Sequence, residues 1–165
     1  MSIYTPQIAM KMLTNLRKKI THNSEIIDQK ISLYFADRLG VKDVKTINAL
    51  GIDGDLTFSQ KVNLFCELLP LSKIDKAKFK VFLKINNEFV LKDEILINDK
   101  YFYSLKSYHP FLFNTYIEDR DFLSIKEKLT FVIYQLIDDV VRLTPYYIEK
   151  PKIYYNKNVG ITLPH

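Results

Sequence analysis

Residues 121–143 read DFLSIKEKLTFVIYQLIDDVVRL, and this stretch decides the fold. Ile125, Leu129, Val132, Ile133, Leu136, Ile137 and Val140 recur at steps of three and four. That period brings side chains onto one face of an α-helix. The stripe runs for about five turns, so it needs a long apolar partner. The core of the same domain is the usual one, and a stripe that outruns the core becomes a dimer seam.

Working backwards, residues 56–69 (LTFSQKVNLFCELL) carry a second amphipathic pattern, Phe58, Val62, Phe65, Cys66 and Leu69. Thr57 stands three residues before Gln60, the spacing of a capping box, and Pro70 marks the end. A further helix starts near Asp75 and carries Phe79, Phe82, Leu83 and Val90. Near the N-terminus, Ile8, Ala9, Met12, Leu13, Leu16 and Ile20 predict a helix over 6–20. Asn23 or Ser24 suits the N-cap of the next helix, whose stripe is Ile27, Ile31, Tyr34 and Phe35, with Gly40 as its C-terminal cap. A turn-rich linker then runs to Gly51–Asp55. The sum is an all-α bundle.

Two regions read less simply. Phe79, Val81, Leu83 and Ile85 also alternate as a strand would, and a minor β-hairpin around 95–103 fits Ile95–Ile97, Asn98-Asp99 and Tyr101–Tyr103. Residues 144–165 contain three prolines and the pairs Tyr146-Tyr147 and Tyr154-Tyr155. They predict an extended aromatic tail lying on the domain or on a partner, with the helical domain spanning 1–143.

Composition bounds the function. The 165 residues are 47% hydrophobic and 26% charged, which suits a single globular domain rather than a disordered chain. One cysteine, Cys66, rules out an intrachain disulfide and a multi-cysteine zinc site. Its apolar setting predicts a buried thiol and a reducing, cytoplasmic compartment. No apolar run reaches the length of a membrane span. In Met1–Thr21 the positive charges come late, the wrong order for a secretory signal. The net charge of +5 is compatible with nucleic-acid or acidic partners.

No catalytic, cofactor or metal pattern emerges. His22, His109 and His165 show no ligand spacing, and His109 reads as a loop or core histidine. Asp53-Gly54-Asp55 resembles the start of a calcium loop, but Thr57 and Leu64 occupy positions that need acidic ligands. The phosphate-binding loop and the nucleophile elbow are absent. Asp138 and Asp139 are adjacent on a helix, about 100° apart, and read as solvent-facing charges. Lys73, Lys76, Lys80 and Lys84 fall on one helix face, either a solvated surface or a strip for phosphates.

From Leu56 to about Glu94 the chain resembles the HEPN-like helical proteins related to the mannitol operon repressor. The resemblance is carried by the capped helix LTFSQKVNLFCELL, the connection SKIDK, and the helix running from Lys78-Phe79 through Phe82-Leu83-Lys84-Ile85-Asn86-Asn87-Glu88-Phe89. Ile85, Asn87 and Phe89 fall in register with the family's Ile-Arg-Asn-x-Phe-x-His run. Asn86 stands where that run has arginine and Leu91 where it has histidine. In nuclease members that pair acts on RNA, and asparagine and leucine supply neither a proton nor a positive charge. The resemblance therefore implies an all-α, often dimeric bundle with a catalytically dead motif. Asn86 also lies on an apolar stripe, where its amide needs a hydrogen-bond partner, by expectation the backbone at a helix end. The expected function is a non-catalytic regulatory or protein-interaction module that pairs with itself as a homodimer or with another protein. The alternatives are a nucleic-acid binder using the lysine strip, or a ribonuclease built from His109 with Arg120 or Arg142.

Overall fold

The computed structural model describes residues 6–42, 50, 54–91, 99–117 and 123–149, with side chains undescribed for 6–13, 91 and 99. The described residues form six helices and no strand. They are α1 (Pro6–Arg38), α2 (Phe58–Leu68), α3 (Lys73–Leu91), α4 (Asp99–Tyr108), α5 (Pro110–Ile117) and α6 (Ile125–Glu149). The all-α expectation holds. No helix among the described residues is long and apolar enough to cross a membrane.

The stripe of α6 forms the centre of the molecule. Leu129, Val132, Ile133, Leu136, Ile137 and Val140 are each 0% exposed. They pack beneath α1, α3, α4 and α5, while α2 closes against α1 and α3. Full burial of such side chains stabilises a fold by about 1.5–3 kcal/mol each, which is why this stripe organises the bundle. These six side chains are consumed within the chain.

The first two predicted helices are one. Asn23 and Ser24 do not cap a new helix. Asn23 Nδ2 donates to the Lys19 carbonyl at 2.7 Å and Ser24 Oγ to that of Thr21 at 2.8 Å. Such bonding back onto the preceding turn lets short polar residues sit inside a helix. Gly40 does terminate α1, at φ +69°. Val41 N–H reaches the Ala36 carbonyl at 2.9 Å and Gly40 N–H that of Asp37 at 3.1 Å, a Schellman arrangement.

Thr57 and Gln60 form the expected capping box. Gln60 N–H donates to Thr57 Oγ1 at 3.3 Å, and Thr57 N–H to Gln60 Oε1 at 2.8 Å. At the start of α3 the cap is Ser72 rather than Asp75: Asp75 N–H donates to Ser72 Oγ, which in turn donates to Asp75 Oδ2. The alternation over Phe79–Ile85 does not make a strand. Phe79, Val81, Phe82, Leu83 and Ile85 are all buried, because α3 is wedged between neighbours on a wide arc. Apolar residues between the stripe positions created the false period.

Tyr101–Tyr103 belong to α4, which removes the hairpin there; the remainder of that prediction, 95–98, lies outside the described residues. Helix α6 starts at Ile125 instead of Asp121, capped by Ser124 with Glu127. It runs past 143 and through Pro145 to Glu149, so residues 144–149 are helical rather than an extended tail. Burial of Leu143, Thr144 and Tyr147 explains the continuation. Tyr147 O–H donates to Asp75 Oδ2 at 2.6 Å and its oxygen accepts Ser72 N–H at 3.2 Å, fastening the end of α6 to the start of α3. Residues 150–165 lie outside the described set.

Candidate functional site

The uninterrupted α1 places Thr21, Ser24, Glu25, Asp28 and Gln29 along one wall of an open cleft of about 530 Å³. These positions repeat at three to four residues, so one helix face supplies a polar wall. Asn86 and Val90 of α3, one turn apart, form the opposite wall, and Phe58 from the first turn of α2 contributes an aromatic surface. The volume lies in the range of small-molecule sites.

Behind Asp28 stands Lys61, a lysine only 1% exposed. Its Nζ donates to Asp28 Oδ2 and to the Leu50 carbonyl, both at 3.1 Å. The other carboxylate oxygen, Asp28 Oδ1, is buried without a hydrogen-bond partner, and so is Asn86 Oδ1. Asn86 itself is 8% exposed. Its carbonyl oxygen therefore lacks the partner expected. A third buried oxygen without a partner, Ser32 Oγ, lies a turn beyond Asp28 and does not line the cleft. Among the described residues of the lining, Glu25 and Asp28 are the charged ones, a local acidic spot in a basic protein.

The other motif positions separate. Asn87 is exposed and accepts a long 3.4 Å hydrogen bond from Ser59 Oγ. Leu91 ends α3, and its side chain is outside the described residues. Ile85 and Phe89 are core residues. Arg17 Nε donates to the Phe89 carbonyl at 2.8 Å, tying α1 to α3 one turn from Thr21.

The lysines do share a face of α3. Lys73, Lys80 and Lys84 are exposed and Lys76 half-buried, spread over about 16 Å of helix. None is bridged to a carboxylate among the described residues; Lys84 Nζ lies 5.0 Å from the Tyr108 ring centre. Lys76 and Lys80 pass close enough to Cys66 to oppose part of the effect of its burial, which still pushes the thiol up to about 11.

Among the proposed acid–base groups, His109 and Arg142 each have other neighbours. Burial, helped by Lys84, lowers the His109 pKa, and its ring lies edge-on to Phe111. Arg142 pairs instead with Asp139 Oδ1 at 3.1 Å, and Arg120 is outside the described residues. Asp139 is not the solvent-facing charge expected. Its Oδ2 accepts from Lys78 Nζ and, at 2.6 Å, from Tyr116 O–H. Burial pushes its carboxyl up, and the hydrogen bonds from Lys78, Tyr116 and Arg142 together outweigh that and hold it below the ordinary value. Burial and then Asp139 raise the Tyr116 hydroxyl. Asp138 does face solvent, paired with Lys19 at 2.9 Å.

Sequence reasoning missed Lys61. It sits three residues after Phe58 and four before Phe65, on the buried stripe of α2, and that position was the available signal. Among the described residues no three His, Cys, Asp or Glu side chains gather as a metal set. Comparisons with protein-family models, curated proteins and solved structures return no match to this chain.

Proposed function

We propose that this chain is a non-catalytic recognition module of the HEPN-like type, a cytoplasmic regulatory protein that works by binding through the α1–α3 cleft. One observation carries the reading: Asp28 and Asn86, two residues that line the same cleft, each keep a buried side-chain oxygen, Oδ1, without a partner. A buried acceptor left unpaired costs about 1–3 kcal/mol, and that cost falls twice on the residues that line this cleft. The candidate acid–base groups support binding over chemistry, because Asp139 is held by Lys78, Tyr116 and Arg142. The degenerate motif fits the same reading, with its Asn86 serving the cleft.

The test is an NMR screen of the intact protein against a fragment set of neutral, anionic and cationic members. The reading expects shifts at Glu25, Gln29, Asn86 and Val90 that vanish when the cleft is blocked by Val90→Arg. A screen in which no fragment perturbs these residues overturns it. Self-association is part of the proposal, and because α6 is consumed by the core, a second copy would have to use exposed apolar residues such as Leu64 and Leu68 of α2. Light scattering that returns a monomer at high micromolar concentration removes that part.

A second reading, nucleic-acid binding, is favoured by the exposed, unbridged lysine face of α3. It expects binding to labelled RNA or DNA that weakens steeply with salt. Lys76→Glu/Lys80→Glu should abolish that binding, and unchanged binding sinks the idea.

A further inference from the structure

Resting on the nucleic-acid reading of the lysine face, we propose that α3 binds a single strand, with phosphates along the lysine row and a base stacked on Tyr108. Pairing separates this row from other cations of the bundle. Lys19, Lys61, Lys78 and Arg142 each hold a carboxylate. Lys73, Lys76, Lys80 and Lys84 are bridged to none among the described residues, although they recur along about 16 Å of one helix. Their charge reaches past α3. Lys76 and Lys80 act on the Cys66 thiol of α2, where Glu67 opposes them, and Lys84 acts on His109 just before α5. A positive track therefore runs from the α2 side of α3 to the junction of α4 and α5, and a polyanion neutralises it.

The ring at the end of that track selects a single strand. Tyr108, the last residue of α4, is 71% exposed, and Lys84 Nζ lies over it at 5.0 Å from the ring centre. The contact ties an open aromatic surface to the final lysine of the row. A base of any sequence stacks on such a ring, because every base has a π-face, while the ammonium beside it holds the phosphate. In a duplex those faces are already covered by neighbouring pairs, so an internal stretch offers its phosphates alone. The track is also separate from the cleft, since Lys84 and Asn86 project from α3 about 160° apart.

The experiment mixes the whole chain with labelled oligothymidylate, an abasic deoxyribose-phosphate chain of equal length, or a long duplex, and follows anisotropy across a salt series. Oligothymidylate should bind at least about tenfold more tightly than the abasic chain, which carries the same charge without bases. Tyr108→Ser, at an exposed position, should weaken oligothymidylate by about tenfold and leave the abasic chain unchanged, while Tyr108→Phe keeps the affinity. Lys84→Gln should reduce the salt slope by about 0.7, the share of one phosphate contact on a single strand. Equal binding of the abasic chain, tighter binding per site of the duplex, or indifference to Tyr108→Ser overturns the proposal. Polyglutamate that matches oligothymidylate assigns the track to an acidic protein and overturns it as well. If Lys76→Glu/Lys80→Glu abolishes nucleic-acid binding while Tyr108→Ser does nothing, the nucleic-acid reading stands and the single-strand assignment falls. If no polyanion binds at low salt, both fall.

Discussion

Replacing Lys61 by methionine tests the link between the cleft and the stability of the bundle. The side chain is 1% exposed, and methionine keeps its length while deleting the charge and the hydrogen bonds of Nζ to Asp28 and to the Leu50 carbonyl. The loss falls on Asp28. With Oδ1 already unpaired, removal of Nζ leaves a carboxylate with neither oxygen compensated. Breaking a buried ion pair from one side costs about 3–5 kcal/mol. Asp28 retains 15% side-chain exposure, so water relieves part of the charge and the low end, about 3 kcal/mol, applies. For a chain of this size that lowers Tm by roughly 6–12 °C. Urea unfolding followed by helical circular dichroism should show a lower midpoint with an unchanged slope. The double variant Lys61→Met/Asp28→Leu should recover to within about 1 kcal/mol of the parent, because two apolar groups replace a pair that had to be desolvated. A single variant within about 0.5 kcal/mol of the parent, or a double variant worse than the single, refutes the reasoning.

Other expectations follow from individual contacts. Thr57→Ala removes the acceptor for Gln60 N–H and should cost about 1 kcal/mol in urea unfolding. Asp139, whose folded pKa lies below its ordinary value, contributes stability that is present above its unfolded pKa and lost as pH falls through the folded one. Acid titration of Asp139→Asn should therefore show a flatter loss of stability on the acid side than the parent. The Cys66 thiol, buried and pushed up to about 11, should react with a disulfide reagent far more slowly in the native protein than after unfolding in urea. Equal rates would place it at the surface.

The parts of the fold that depend on local periodicity and capping were legible in the chain. The 125–140 stripe, the Thr57–Gln60 box and the Gly40 terminator each act within a few residues, and each stands where the spacing put it. What escaped depends on tertiary burial. Asn23 and Ser24 are chemically able either to start a helix or to bond back within one, and only the continuous packing of Leu16, Ile20, Ile27 and Ile31 selects the second. Pro145 breaks helices in general, yet Leu143 and Tyr147 on either side are held in the core and carry α6 across it. The cleft was half legible. Asn86 stood out as an amide on an apolar stripe, but its opposite number, Asp28, lies 58 positions earlier on a helix whose continuity was not foreseen.

That distance also explains why the cleft is a place to expect binding rather than an accident of packing. Elsewhere in the described core, Thr144 is satisfied by the Val140 carbonyl and Tyr147 by Asp75, and Ser32 Oγ is the exception. Around the cleft the pattern reverses. A lysine is buried to hold one oxygen of Asp28 while the other is left without a partner, as is Oδ1 of Asn86 on the same lining. Leucine at 86 and an apolar residue at 28 would fill the same space without those penalties. A chain that is locally consistent elsewhere departs from the stability rule here, and such departures collect where a site needs them. The unpaired oxygens among the described cleft residues are Asp28 Oδ1 and Asn86 Oδ1, so the departure falls on the two helices that frame the cleft.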